Sequence, residues 1–181
     1  MKLLFPKPYA DFVARLRVPC GFLLVAAFAW FSHPDARSLL YGIPVSSLGL
    51  ALRGWAAGHL AKNRTLATSG PYAYTRNPLY LGTLLVAAGL VIASRSAGLG
   101  ALFAVVFLCI YLPVIQLEQQ HLRGLFPEYD AYAGRVPALL PRMAAAGERR
   151  VFQWDLYVKN REYQAAAGFL AGALFLIWRA R

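Results

Sequence analysis

Two short stretches carry the side chains able to do chemistry. The first is SGPYAYTRNPLYLG, residues 69–82, with a Gly70-Pro71 turn, three tyrosines at 72, 74 and 80, Arg76, and then Asn77-Pro78 ahead of an apolar run. Asparagine is a good N-cap and proline suits a first turn, so a helix is expected to start at 77–78. The free N–H groups and partial positive charge of such a start can hold a carboxylate or another anionic group. The plainer alternative is an aromatic belt at headgroup depth plus a cap. The second stretch is LEQQHLRGLFPEYDAYAGRVPALLPR, residues 117–142. Glu118 is one of eight acids and directly follows 22 uncharged residues. A carboxylate at that depth is costly without a cationic partner, which makes it a functional candidate; an ordinary helix-end carboxylate facing water is the alternative. His121, one turn on, reads as exposed, and His59 is a weaker candidate than Glu118. No metal-ligand cluster and no Ser-His-Asp set is found. GLGALF at 98–103 lacks the third glycine of a dinucleotide fingerprint and lies in an apolar run. The chemistry these residues suit is the gripping of a charged ligand at a lipid boundary.

The elements that must position them are membrane helices. Of the 181 residues, 59% are hydrophobic and 15% charged, a departure from soluble composition towards the membrane class. Uncharged stretches lie between Arg17 and Asp35, Arg37 and Arg53, Arg76 and Arg95, Arg95 and Glu118, and Glu162 and Arg179. At about 20 residues per span the fourth is long enough to cross a bilayer, the third nearly so, and the others need flanking residues and snorkelling basic side chains. The fold class expected is therefore an all-α membrane protein, a bundle of about five transmembrane helices in a single domain over 1–181. With the N-terminus inside, only Arg37, Arg95, Arg179 and Arg181 of the 19 basic residues fall outside, while the others, Lys2 and Arg149 among them, lie on the cytoplasmic side. Topology and anionic headgroups thus explain the net charge of +11, and nucleic acid is not an expected partner. A signal peptide ending at AFA, 27–29, is set aside in favour of a retained first helix. Cys20 and Cys109 lie in apolar runs and imply no disulfide.

Along the chain, residues 1–17 read as a basic lead and 33–37 as a turn. The second helix is expected over about 38–60. Helices over about 78–94 and 97–117 should form a tight antiparallel hairpin. The 118–162 stretch is polar and aromatic, interrupted by Pro127, Pro137 and Pro141, and a last helix covers about 163–178. Gly54 with Gly58 and Gly168 with Gly172 have the spacing that lets helix backbones approach in lipid. Packing inside one bundle is preferred over a homodimer contact. Residues 149–163, RRVFQWDLYVKNREY, read as an interfacial amphipathic helix or as the cytoplasmic start of the last span.

GPYAYTRNPLYLG, followed some forty residues later by Glu118, Phe126, Tyr129, Tyr132 and RVPALLP, resembles the isoprenylcysteine carboxyl methyltransferase and phospholipid methyltransferase superfamily over roughly residues 48–142. The resemblance implies a membrane helix bundle that takes S-adenosylmethionine from the cytoplasm and a lipophilic or amphiphilic acceptor from the bilayer. By position it implies cofactor contacts at Tyr74, Arg76, Asn77, Pro78, Tyr80 and Gly82, and a Glu118 that meets the cofactor's ammonium group. It also implies that Arg135 lies near the acceptor. The sequence departs from the isoprenylcysteine pattern at Asn77, where histidine is common, at Gln119, where a second acid stands, and at Pro127, where glycine is usual. Those departures bear on the prenylcysteine substrate rather than on methyl transfer. Displacement at a sulfonium has a good leaving group, so alignment and desolvation can supply much of the acceleration without a metal or a nucleophile. A carboxylate acceptor needs only a cation such as Arg135; an amine must lose a proton, for which Tyr132 or water is relevant. Two other readings stand beside this one: an NADPH-dependent membrane reductase of the sterol type, which carries a similar R-x-P-x-Y segment, and a non-enzymatic membrane protein.

Overall fold

A computed structural model describes residues 4–142 and 150–181, so Lys2, Arg149 and the first residue of the 149–163 segment lie outside the described residues. The described residues form helices and no strands. Helix α1, Lys7–Phe31, already includes most of the basic lead, since nothing from Lys7 to Arg17 breaks a helix and Pro8 sits harmlessly in its first turn. α1 and the continuous rod Ala97–Leu125 are long and apolar enough to cross a membrane, and Pro78–Ser94 is a shorter apolar helix.

Helices α2, Ala36–Ala57, and α3, Pro78–Ser94, form the closest pair. α2 starts from a capping box: the Asp35 carboxylate accepts from the Ser38 amide at 2.7 Å, and the Ser38 hydroxyl accepts from the Asp35 amide at 3.0 Å. That amide bond, with Arg95 adding its charge, holds the Asp35 carboxyl below the ordinary carboxylate range. The two helices run antiparallel, with Gly42 opposite Gly89 and Gly49 opposite Gly82, a seven-residue spacing on each. A Cβ on Gly49 would lie 2.6 Å from the Gly82 carbonyl oxygen, and one on Gly42 would collide with the Gly89 carbonyl. The Ser46 and Ser38 hydroxyls donate across the seam to the Val86 and Ala93 carbonyls, both at 2.9 Å. This is the close backbone contact that small residues permit in lipid.

The glycine pairs expected to make such contacts behave differently. Gly58 is the C-cap of α2 and a Cβ there would run into the Phe152 ring, a Cβ on Gly54 would lie 3.6 Å from the Tyr157 ring, and Cβ atoms on Gly168 and Gly172 would meet nothing within 4 Å. The first pair therefore receives aromatic side chains of the C-terminal segment rather than a helix backbone.

After α3, Arg95 turns the chain in the left-handed region, φ 55°, and α4, Ala97–Val106, begins. It passes through a π turn at Phe107–Tyr111 into α5, Leu112–Leu125. The rod thus runs two turns beyond the expected end at 117, because LEQQHLRGL contains good helix formers and presents one apolar face. Pro113 has no N–H to offer the Cys109 carbonyl four residues back, and the Tyr9 hydroxyl takes that carbonyl instead at 2.8 Å. The Gln116 side chain completes the fastening of the N-terminus. Its Oε1 accepts from the Leu4 and Phe5 amides at 2.8 and 3.0 Å, and its Nε2 donates to the Phe5 carbonyl at 2.8 Å.

The remaining elements are short α6, Tyr129–Arg135, shorter α7, Trp154–Lys159, and α8, Tyr163–Arg179. Residues 149–163 are thus not one amphipathic helix: the chain is extended through Gln153, and Arg161 adopts φ 54° between α7 and α8. Trp154 and Val158 are exposed while Phe152 is turned inward onto Gly58. At the end of the bundle away from the α2–α3 loop, Arg95 pairs with Asp35 and Arg179 reaches the Ala29 and Trp30 carbonyls.

Candidate active site

The two motif stretches are zipped together along the backbone. The Arg76 amide donates to the Pro137 carbonyl at 2.9 Å, and the Arg142 amide to the Tyr74 carbonyl at 3.1 Å. Between them, the Asn77 side-chain amide donates to the Ala138 carbonyl at 2.7 Å, and the Thr75 hydroxyl donates to the Leu139 carbonyl at 3.0 Å. Asn77 does occupy the N-cap position of α3, yet its side chain caps no helix amide and spends its N–H on the 137–142 strap. Prolines 137 and 141 make that strap possible, since they keep it extended and leave carbonyls free to accept.

Arg76 and Asn77 also line a cavity of about 790 Å3. Tyr80, from the first motif, donates its hydroxyl to the Glu118 carboxylate at 3.0 Å. Tyr111, from the π turn, sets its ring edge-on against Tyr80 with centroids 6.2 Å apart. Among the described residues Glu118 has no cation within ion-pair distance; the ion pairs there are Arg53–Glu162, Arg95–Asp35 and Arg123–Asp130. Arg53 and Glu162 also line the cavity and saturate each other. The guanidinium donates to both carboxylate oxygens, at 2.5 and 3.1 Å, and to the Leu79 carbonyl and Thr83 hydroxyl on α3.

A small aromatic core supports the opposite wall. Leu66, Phe126, Tyr129 and Tyr132 are buried together, with Leu122, Ala133 and Val136 against them. The Tyr132 hydroxyl donates to the Tyr72 carbonyl at 2.7 Å, and Arg76 reaches the Tyr129 hydroxyl at 3.5 Å. Burial pushes the Tyr72, Tyr129 and Tyr132 phenols above their ordinary value, with neighbouring charges adding to or opposing it. Tyr132 is thereby held protonated and its proton is committed to a carbonyl. It is poorly suited to act as a base.

Of the residues singled out in the sequence, the cavity collects Arg76, Asn77, Tyr80, Glu118 and Tyr132. Pro78 is buried at the start of α3, and Gly82 packs against Gly49 and the Arg53 side chain behind the wall. Tyr74 is exposed and leans on Trp55, with centroids 6.4 Å apart. Arg135 is exposed too; it lies in the last turn of α6, its Nε donates to the Ala131 carbonyl of its own helix, and it does not line the cavity. His121 lines it and approaches Asn63 at 3.2 Å. The sequence reading passed over Arg17, Arg53, Tyr111, Asn160 and Glu162, all of which line the cavity. Glu162 did carry a signal, because it borders the last apolar run as Glu118 borders an earlier one.

A family model described as phospholipid methyltransferase matches residues 45–129. The nickel-cobalt-cadmium resistance protein NccN of Alcaligenes xylosoxydans xylosoxydans is 32% identical over 77% of this chain and 71% of its own length. The protein-S-isoprenylcysteine O-methyltransferase of Schizosaccharomyces pombe is 27% identical, over 75% of this chain and 59% of its own. The chain belongs to the isoprenylcysteine carboxyl methyltransferase and phospholipid methyltransferase superfamily. The cobalt-zinc-cadmium resistance protein CzcN of Cupriavidus metallidurans is 38% identical over 67% of this chain. The matched region spans 55% of CzcN. No solved structure matches the chain. Its superfamily and its two helices long and apolar enough to cross a bilayer both point to a membrane location. The family region holds Tyr80, Glu118 and the 69–82 motif, whereas Arg17, Asn160 and Glu162 reach the cavity from outside it.

Proposed function

We propose that the protein is a membrane-embedded, S-adenosylmethionine-dependent methyltransferase with a lipophilic or amphiphilic acceptor. The observation that carries this reading is the exposed Glu118 carboxylate, which meets the Tyr80 hydroxyl at the cavity and has no cation within ion-pair distance among the described residues. A group so placed suits a ligand that brings its own positive charge. The cavity's size falls within the range of small-molecule and cofactor sites. Its tyrosine rings can face a cation. The residues present thus fit the cofactor. When bound, it supplies a methyl group on a positively charged sulfur, which departs as a neutral thioether.

In this reading Glu118 holds the ammonium end, Tyr80 fixes the carboxylate's orientation, and Arg76 with the Asn77 strap closes the polar side. Tyr111 and the apolar side chains of α5 exclude water from the reacting centre. Acceleration then comes from alignment and desolvation. The acceptor loses its proton to water if it is an amine and needs none removed if it is a carboxylate. Arg135, which is exposed and does not line the cavity, has no part in this scheme.

The fuller topology belongs to the same proposal: one membrane unit over 1–181, five spans formed by α1, α2, α3, the α4–α5 rod and α8, N-terminus and cavity cytoplasmic, C-terminus outside. Supporting it, the loops at the cavity end carry most of the basic residues, while Arg95 and Arg179 sit at the other end. The curated relatives CzcN and NccN carry metal resistance in their names. Among the described residues no group of three or more His, Cys, Asp or Glu is placed to hold a metal.

The test is transfer of labelled methyl groups from S-adenosylmethionine to a total lipid extract by the purified protein in nanodiscs. Labelled lipid is expected, lost on Glu118→Gln. Absence of label, combined with binding of NADPH but not of S-adenosylhomocysteine, would move the protein to the reductase reading.

A further inference from the structure

Glu118 shares this cavity with cations that no carboxylate pairs with, since Arg17, Lys62 and Arg76 line it as well. Arg17, on α1, forms no hydrogen bond or ion pair among the described residues. Arg17 ends the basic lead, directly before the uncharged run of α1, and is exposed where it lines the cavity. The other cations here are placed differently. Arg53 is saturated by Glu162, Arg76 reaches the Tyr129 hydroxyl while its buried Nε has no partner, and Lys62 belongs to the exposed loop after α2.

Arg17 and Glu118 come from different helices, and they are not within ion-pair distance of each other. Both line the cavity, and the Glu118 carboxylate accepts from the Tyr80 hydroxyl at 3.0 Å. A carboxylate and a guanidinium on the wall of one cavity, neither in an ion pair, can together receive a group carrying both signs. We propose that Arg17 is a ligand-binding residue which, opposite Glu118, holds the anionic half of a zwitterionic group. This deepens the methyltransferase reading and rests on it in one of two arms. The zwitterion is either the amino-acid end of the cofactor or the headgroup of a zwitterionic phospholipid. The guanidinium suits either anion, since its fork matches carboxylate and phosphate alike.

The experiment uses the full chain in phosphatidylglycerol nanodiscs, which offer no competing zwitterion. Binding of three probes is measured to wild type, Arg17→Gln and Arg17→Lys. They are S-adenosylhomocysteine, 5′-methylthioadenosine, which lacks the amino-acid end, and a short-chain phosphatidylethanolamine. Loss of a charge-assisted bond weakens binding about tenfold to a hundredfold. If Arg17 holds the cofactor, Arg17→Gln weakens S-adenosylhomocysteine by that factor, leaves 5′-methylthioadenosine unchanged, and Arg17→Lys recovers most of the loss. If it holds a headgroup, both nucleosides are unaffected and phosphatidylethanolamine weakens instead. Wild type that binds neither nucleoside defeats the methyltransferase reading while the lipid arm still decides the role of Arg17. The proposal is overturned if no probe responds to Arg17→Gln, or if all weaken alike, as a structural role predicts. Should Arg17→Gln fail to fold, Glu118→Gln is expected to give the same selective loss through the other half of the receptor, and an unselective loss overturns the proposal.

Discussion

Glu162→Gln tests the structure at the point where three helices meet. The Arg53 guanidinium lies on α2, its carboxylate partner immediately precedes α8, and its remaining N–H reaches Leu79 and Thr83 on α3. The two side chains are 22% and 9% exposed, so the charges are largely withdrawn from water. Removing one partner of a buried pair costs about 3–5 kcal/mol, mainly because the other charge is left unbalanced. The residual exposure of Arg53 and the hydrogen bond that glutamine can still accept favour the lower end, about 3 kcal/mol. At about 2–4 °C per kcal/mol for a chain of this size, the melting temperature should fall by roughly 6–12 °C. The apolar pair Arg53→Met with Glu162→Leu removes both charges together, and its loss should be well below the sum of the two single losses, because neither charge is orphaned. The assay is thermal unfolding of wild type, Glu162→Gln, Arg53→Met, Glu162→Leu and the double variant in one detergent at fixed ionic strength. A melting point for Glu162→Gln within about 1 °C of wild type, or strict additivity in the double variant, would refute the argument that this pair is a buried joint.

Glu118→Gln keeps an acceptor for the Tyr80 hydroxyl and removes only the charge, so it should weaken S-adenosylhomocysteine about tenfold or more in equilibrium binding while leaving the melting temperature nearly unchanged. Arg135→Ala should change S-adenosylhomocysteine affinity less than twofold, about 0.4 kcal/mol, because the side chain is exposed and bonded to its own helix; a tenfold loss would return Arg135 to the site. Gly42→Ala should destabilise the protein by about 1–3 kcal/mol or more in a denaturation series, since the methyl meets the backbone of α3. The same substitution at Gly172, which has open space beside it, should be neutral or stabilising. Raising pH past 10 should destabilise the fold: the unfolded chain ionises its phenols while Tyr72 and Tyr132 stay protonated, so the unfolded state binds fewer protons. The slope is about 1.4 kcal/mol per pH unit for each, read from melting curves with phenolate absorbance alongside.

Much of this was legible in the chain because membrane constraints are written locally. Apolar runs, the basic residues that interrupt them and the Asn-Pro helix start each depend on a few neighbouring positions, and the helices of the structure begin or end close to where those signals stand. Glu118 stood out in the same way, as a lone carboxylate beside an apolar run whose burial cost flags it without any knowledge of its partners. The sequence also encodes the seven-residue glycine spacing of Gly42 with Gly49 and Gly82 with Gly89. It is unremarkable in either helix alone and acquires meaning only when the two are laid antiparallel. The four-residue pairs, which look like packing motifs, meet aromatic rings or nothing.

Pairing was decided by tertiary structure alone. Backbone bonds from Arg76 to Pro137 and from Arg142 to Tyr74 link stretches some sixty residues apart, and no local signal specifies them. The direction of Arg135, the bond that commits the Tyr132 proton, the joint of Arg53 with Glu162 and the approach of Arg17 from α1 are of the same kind. Each depends on which faces of separate helices close on one another. Residue type and spacing say that a charge must find a partner, whereas only the packed bundle says which charges have found one and which, like Glu118, are left facing a cavity.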